Sequence, residues 1–243
     1  MTTSALLGEP GARRVSPFLF LLVILSFFLA FAGVSCNTAT TRSTIGSIEA
    51  SQGVSAAESA QVSACIDALG GDNILTYSGW QLGFGKDPAI GSIPAACNAS
   101  NAAATDTSSA NIGAQLLVIL ALVTVCLALA FAIAGLLGLL AARTRALITA
   151  VFGVGAGALL ILDQIHVRDV LLAKIASSQG SSAAGLDVAS LFNVNPGIGL
   201  VVALAILAFA VLYNVAALIV VPAPGAVVTP EPPHPPPALS PPP

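Results

Sequence analysis

Long apolar runs alternate along the chain with polar stretches rich in small residues. A helix needs about 20 residues to cross the roughly 30 Å hydrocarbon core of a bilayer. Four runs reach or approach that length: 17–35, 115–142, 146–162 and 197–221. None of them contains Asp, Glu, Lys, Arg or His. The alternation expected of lipid-facing strands is missing, and a helix satisfies its own backbone hydrogen bonds in lipid. The pattern predicts an all-α membrane protein, a four-transmembrane-helix bundle with a large extracytoplasmic first loop.

Orientation follows from Lys and Arg. Arg13 and Arg14 precede the first run, and Arg143 and Arg145 separate the second from the third. Both pairs belong in the cytoplasm. The loop 36–114 carries Arg42 and Lys86 against six acids and belongs outside. The expected organisation is a cytoplasmic stub 1–16, a first span 17–35, the outer loop 36–114, a second span 115–142 and a cytoplasmic turn 143–145. A third span 146–162, an outer segment 163–196, a fourth span 197–221 and a cytoplasmic tail 222–243 follow. The expected location is the plasma membrane, multi-pass, with both termini cytoplasmic. The first run has two further readings. Ala30-Phe31-Ala32 before Gly33 fits a signal-peptide cleavage site, and Gly33-Val-Ser-Cys36 resembles an imperfect lipobox that would place a lipid on Cys36. All three readings leave the long loop outside.

Composition narrows the function classes. Of 243 residues, 56% are hydrophobic and 8% charged, against about a quarter charged in ordinary soluble domains. Mean hydropathy is +0.93. A soluble globular protein and a disordered chain are excluded. With 8 Lys and Arg and a net charge of −3, no basic field exists to hold nucleic acid. GxSxG, HExxH and P-loop motifs are missing. No cofactor and no enzymatic activity are expected.

The outer loop has an ordered centre. Val62, Cys65, Ile66 and Leu69 recur at helical spacing within 54–69, and Gly70-Gly71 stops the run. Residues 74–84 read as a short extended or turning segment, and 37–47 and 98–111 as flexible linkers. Cys126 lies within the second span, so one pair is expected among Cys36, Cys65 and Cys97 if their compartment oxidises. Cys65–Cys97 is the favoured pair, closing a loop around Trp80. Asn98-Ala99-Ser100 is a formal sequon. The tail has 11 prolines in its last 22 residues, the composition of a disordered, polyproline-II-like extension.

Within the spans, Cys126, Ala130, Ala134, Gly138 and Ala142 lie four apart, and Gly153 and Gly157 form a GxxxG. Such rows let a second backbone approach closely. They are read as packing among this chain's own helices, with a homo-oligomer or a membrane-protein partner as the other reading. Asp163, His166 and Asp169 follow at i+3 steps on a continuation of the third helix and share roughly one face. They are read as a solvated outer polar cluster, in preference to a metal or proton-handling site. The deep polar inventory is Ser26, Thr124, Thr149, Tyr213 and Asn214. With no ionisable group at depth, proton-coupled transport is disfavoured.

The expected function is that of a non-enzymatic integral membrane protein of the cell envelope, acting through protein–protein interaction or assembly in the bilayer. The alternative is an oligomeric channel or carrier for a small neutral solute, lined by Thr124 and Asn214. The first run ending SFFLAFAGVSC, the loop segment TYSGWQLGFG (76–85) and three further spans resemble bacterial four-span membrane proteins of the actinobacterial type. That resemblance implies the four-span architecture and carries over no activity and no site residue. The layout is also similar to claudin-like tetraspans, but their Gly-Leu-Trp motif and closely spaced Cys pair are missing, and that family is not assigned.

Overall fold

The first apolar run is divided between two kinds of structure. In the computed structural model, which describes residues 10–52, 55–70, 73–91, 97, 111–178 and 188–220, helix α1 (Pro10–Ser26) stops midway through the run. The amides of Phe27, Phe28 and Leu29 turn back to carbonyls three residues earlier, and the Ser26 hydroxyl donates to Val23 O at 2.6 Å. Strand β1 (Ala30–Cys36) then begins. The expectation of one helix over 17–35 is therefore corrected. An apolar run buried on all sides can be helix or strand, and periodicity does not separate the two.

After β1 come α2 (Thr38–Gln52), α3 (Ala56–Leu69), β2 (Leu75–Ser78), α4 (Gly79–Phe84) and β3 (Ala89–Ile90). The long helices α5 (Leu116–Leu136) and α6 (Ala142–Ser178) follow, then a 3₁₀ turn at Val188–Leu191, β4 (Phe192–Pro196) and α7 (Ile198–Val220). The strands form one antiparallel sheet in the order β3-β2-β1-β4. Gly33 on β1 faces Thr76 of β2 on one side and Asn195 of β4 on the other. Because β1 is paired on both edges, its backbone polar groups are satisfied within protein, as an apolar environment demands. The sheet lies where α1 ends and α5 and α7 begin. That junction is tight: a Cβ on Gly197 would fall 2.2 Å from Ala30 O.

Three helical stretches are long and apolar enough to cross a membrane, Leu116–Leu136, Ala142–Lys174 and Ile198–Ile219. They are consistent with a membrane protein. The apolar part of α1, Val15–Ser26, is shorter. The four helices pack through a seam of small and branched residues. Ala121, Val125, Ala128 and Ala132 of α5 are fully buried, as are Ala156 of α6 and Ala203 and Ala210 of α7, and Phe20 and Val23 of α1 and Phe27 just beyond its end join the same core.

Several boundaries move. The expected second span, 115–142, ends early, and the turn expected at 143–145 lies instead before Ala142. Gly138 takes φ 78°, Leu139 N–H donates to Ala134 O and Gly138 N–H to Gly135 O. This is a Schellman ending, which only a residue without a Cβ adopts cheaply. The linker expected over 37–47 is helix α2. The Asn37 side chain accepts Thr40 N–H at 3.4 Å, and an Arg42–Asp67 ion pair ties α2 to α3. The 74–84 segment is a strand followed by a helical turn. Ser78 and Gln81 cap that turn reciprocally, and Gly85 closes it at φ 61°. Helix α6 does continue past 162, to Ser178. The sequon, most of the second linker (98–110) and the tail 222–243 lie outside the described residues.

Candidate functional site

The sheet-capped end of the bundle holds the outer-loop features. Cys65 on α3 is joined to Cys97 by the expected disulfide. Trp80, on α4, stacks on Phe28 with ring centroids 5.7 Å apart and meets Phe84 at 4.2 Å. Its amide donates to Phe27 O at 2.9 Å, fastening α4 to the end of α1. All three rings are exposed. An exposed aromatic group where apolar helices end is what a membrane–water boundary selects. Beneath it Tyr77 is 1% exposed, and desolvation pushes its phenol up to about 12. Cys36 ends β1 half-buried as a free thiol. Burial pushes that thiol up as well, which disfavours the reactive thiolate.

Asp163, His166 and Asp169 do not form one solvated cluster. Steps of three residues drift about 60° per step around a helix of 3.6 residues per turn. Asp163 consequently falls on the core face of α6 with Leu160 and Val167, while His166 and Asp169 are exposed. The shared-face cluster is corrected on that ground. Among the described residues no group of three His, Cys, Asp or Glu is placed to hold a metal ion. Asp163 is 4% exposed, and its Oδ1 has no hydrogen-bond partner among the described residues.

At the opposite end, three helices are tied by polar side chains inside the apolar bundle. Thr149 Oγ1 donates to Asn214 Oδ1 at 2.9 Å. Asn214 Nδ2 donates to Ser16 Oγ at 3.3 Å and to Ala210 O at 2.7 Å. The Asn214 amide is thus used on both sides and 1% exposed. Thr124 bonds its own helix at Leu120 O, 2.7 Å away. Asn214 is therefore committed within the bundle, and Thr124 is half-buried on α5. Sequence reasoning identified Asn214 and Thr149 but missed Ser16. A single serine near a positively charged stub carries no periodic signal. Arg145, 8% exposed, lies across Gly135, where a Cβ would fall 2.0 Å from its Cδ.

The small-residue rows divide. On α5 the buried row is Ala121, Val125, Ala128 and Ala132, displaced by one to two residues from the expected one. Cys126 and Ala130 are exposed, Ala134 is half-buried, and Gly138 has left the helix. The reading of that row as packing within the chain, with Cys126 buried, is corrected: the alanine-rich helix offers two such rows, and the bundle uses the other. Gly153 of the GxxxG does pack inside, since a Cβ there would meet Val211 Cγ2 at 2.8 Å. Gly157 does not, because a Cβ there meets nothing within 4 Å. It lines an open apolar groove of about 610 Å³ between α6 and α7, with Val154, Ile161, Ala208 and Leu212. No family model, curated protein sequence or solved structure matches the chain.

Proposed function

We propose that the chain is a non-enzymatic integral membrane protein of the cell envelope that acts by assembling with a second copy of itself in the bilayer. The observation that carries this reading is the small-residue strip through Cys126 and Ala130, which the chain's own helices leave exposed, continued by the half-buried Ala134. In lipid, association gains from close backbone approach along small residues, not from hydrophobic exclusion. Orientation rests on Arg13, Arg14, Arg143 and Arg145 at the inner end, with the Cys65–Cys97 disulfide and the sheet outside. Helix α1 serves as the fourth span. Its apolar part, Val15–Ser26, covers about 18 Å before the turn and strand that follow, and its Phe20 and Val23 sit in the bundle core.

Cys126 provides the test. In native membranes of a Cys36→Ser variant, the oxidisable thiol on the strip is Cys126, so mild oxidation should give a covalent dimer on non-reducing gels. Cys126→Ser should abolish the band, and Ala130→Leu should weaken it by blocking close approach. A lone monomer in native-lipid discs, with no crosslink at any oxidant level, overturns the reading.

A further inference from the structure

A polar cleft opens between the outward extension of α6, the edge strand β4 and the start of α2. It encloses about 460 Å³ and is lined by Arg168, Asn37, Thr40, Ser190, Asn193 and Asn195, with apolar neighbours. Arg168 is the one charged residue among the described residues of that lining. Its guanidinium makes no ion pair or hydrogen bond among the described residues. Two of the amides form a fixed frame. Asn195 Nδ2 donates to Ser35 Oγ at 3.0 Å, and Asn37 is bonded to Ser190 O and Thr40 N. The Asn193 amide is uncommitted among the described residues. A planar cation with five donors, an amide able to donate or accept, and no competing carboxylate among the described lining residues make an anion-selective lining.

Depth narrows the ligand. Arg168 stands five residues beyond Asp163, where the apolar part of α6 ends. That is about 8 Å along the helix axis, within the roughly 5–8 Å headgroup layer on each side of a bilayer core. The Phe28–Trp80–Phe84 group independently marks the boundary at this end of the bundle. We propose that Arg168, Asn193 and Thr40 form a binding site for a hydroxyl-bearing phosphodiester, presented by an anionic lipid of the outer leaflet. The guanidinium takes the phosphate oxygens, and the amide and hydroxyl groups take the polyol. A zwitterionic headgroup finds no acid among the described lining residues to balance its ammonium. The placement rests on the membrane reading above but not on self-assembly.

The test measures lipid retained by the purified full chain in native mass spectrometry, with short-chain phosphatidylglycerol or phosphatidylcholine added. Phosphatidylglycerol should be retained about tenfold better, the scale of one charge-assisted contact pair. Arg168→Gln should remove most of that preference, Arg168→Lys should keep part of it, and Asn193→Ala should lower it less than Arg168→Gln. Emission of Trp80 and an intact Cys65–Cys97 disulfide verify that each variant is folded. Displacement by millimolar inorganic phosphate at the same residues would keep the phosphate chemistry but overturn the lipid as its source. Equal retention of the two lipids, or a preference that survives Arg168→Gln, overturns the site. Carbonate washing of the same membranes tests insertion separately, so release of the protein there counts against the membrane reading instead.

Discussion

Thr149 on α6 and Asn214 on α7 meet at 2.9 Å inside the apolar bundle, and Asn214 passes the connection on to Ser16 of α1. One amide therefore ties three helices inside an apolar bundle. Interhelical hydrogen bonds in lipid average about 0.6 kcal/mol and reach about 1.7 kcal/mol. A double-mutant cycle with Thr149→Ala and Asn214→Ala should give a coupling in that range. Unfolding of the detergent-solubilised protein, followed by Trp80 emission, measures it. Zero coupling would mean that the contact contributes only shape.

The two glycines of the GxxxG should behave differently. At Gly153 a new Cβ falls 2.8 Å from Val211 Cγ2, so Gly153→Ile overfills the α6–α7 seam and should cost about 1–3 kcal/mol. At Gly157 a new Cβ meets nothing within 4 Å. Gly157→Ile should leave monomer stability within about 0.5 kcal/mol, as surface changes usually do. Equal losses at the two positions would refute this assignment of faces. The comparison needs only thermal unfolding in one detergent.

These contrasts mark how far the chain could be read unaided. Apolar length alone located α5, α6 and α7, because crossing lipid is a demand on composition. The α3 helix over 56–69 and the Cys65–Cys97 pair were likewise visible, one from spacing and the other from compartment logic. Position around a helix was not. With alanine on several faces of α5, the rows through Ala128 and through Ala130 look alike in sequence, and only the shapes of α6 and α7 choose between them. The strand at 30–36 was hidden for a related reason. Its partners, 75–78 and 192–196, are far away in sequence, so nothing local distinguishes Phe31-Ala32-Gly33-Val34 from more helix. Arg168 facing Asn193 is another long-range product, set by where the β4 edge meets α6.

Tyr77 sets an alkaline limit on the sheet end of the fold. Its phenol has a folded pKa of about 12 because burial disfavours the phenolate, against about 10 in an unfolded chain. The fold therefore favours the neutral form. The resulting stability is fully present below pH 10 and is lost as pH rises from 10 through about 12. A Tyr213→Phe background leaves Tyr77 as the single tyrosine, since the chain has two. Its ultraviolet absorbance should then show tyrosinate appearing only near the upper end of that range, together with a loss of stability. Tyr77→Phe should flatten the stability profile over the same interval. Titration at the ordinary tyrosine value in the folded protein would contradict the burial.

Asp163 should be a cost to the fold. Its Oδ1 is buried without a hydrogen-bond partner among the described residues, on the face that carries Leu160 and Val167. Leaving a polar atom so placed costs about 1–3 kcal/mol. Asp163→Leu should therefore raise unfolding stability by up to that amount, whereas His166→Ala, at an exposed position, should change it by less than about 0.5 kcal/mol. A clear loss of stability in Asp163→Leu would reveal that the carboxylate is satisfied after all.

Retention of α1 is the last prediction, and it rests on what the residues of the first apolar run pack against. Cleavage after Ala32 would remove Phe20, Val23 and Phe27, each at most 1% exposed, from the centre of the bundle. It would also cut β1 between the residues that pair with Tyr77 and Thr76 of β2. Burying one such aromatic side chain is worth about 1.5–3 kcal/mol, so losing these residues would remove a large part of the typical 5–15 kcal/mol of a folded domain. Intact-mass measurement of the membrane-extracted protein should accordingly find residues 10–36 present. A chain engineered to begin at Gly33 should fail to form the Cys65–Cys97 disulfide and should be degraded. A stable, membrane-bound product starting at Gly33, or at a lipid-bearing Cys36, would show instead that the bundle holds together on α5, α6 and α7 alone.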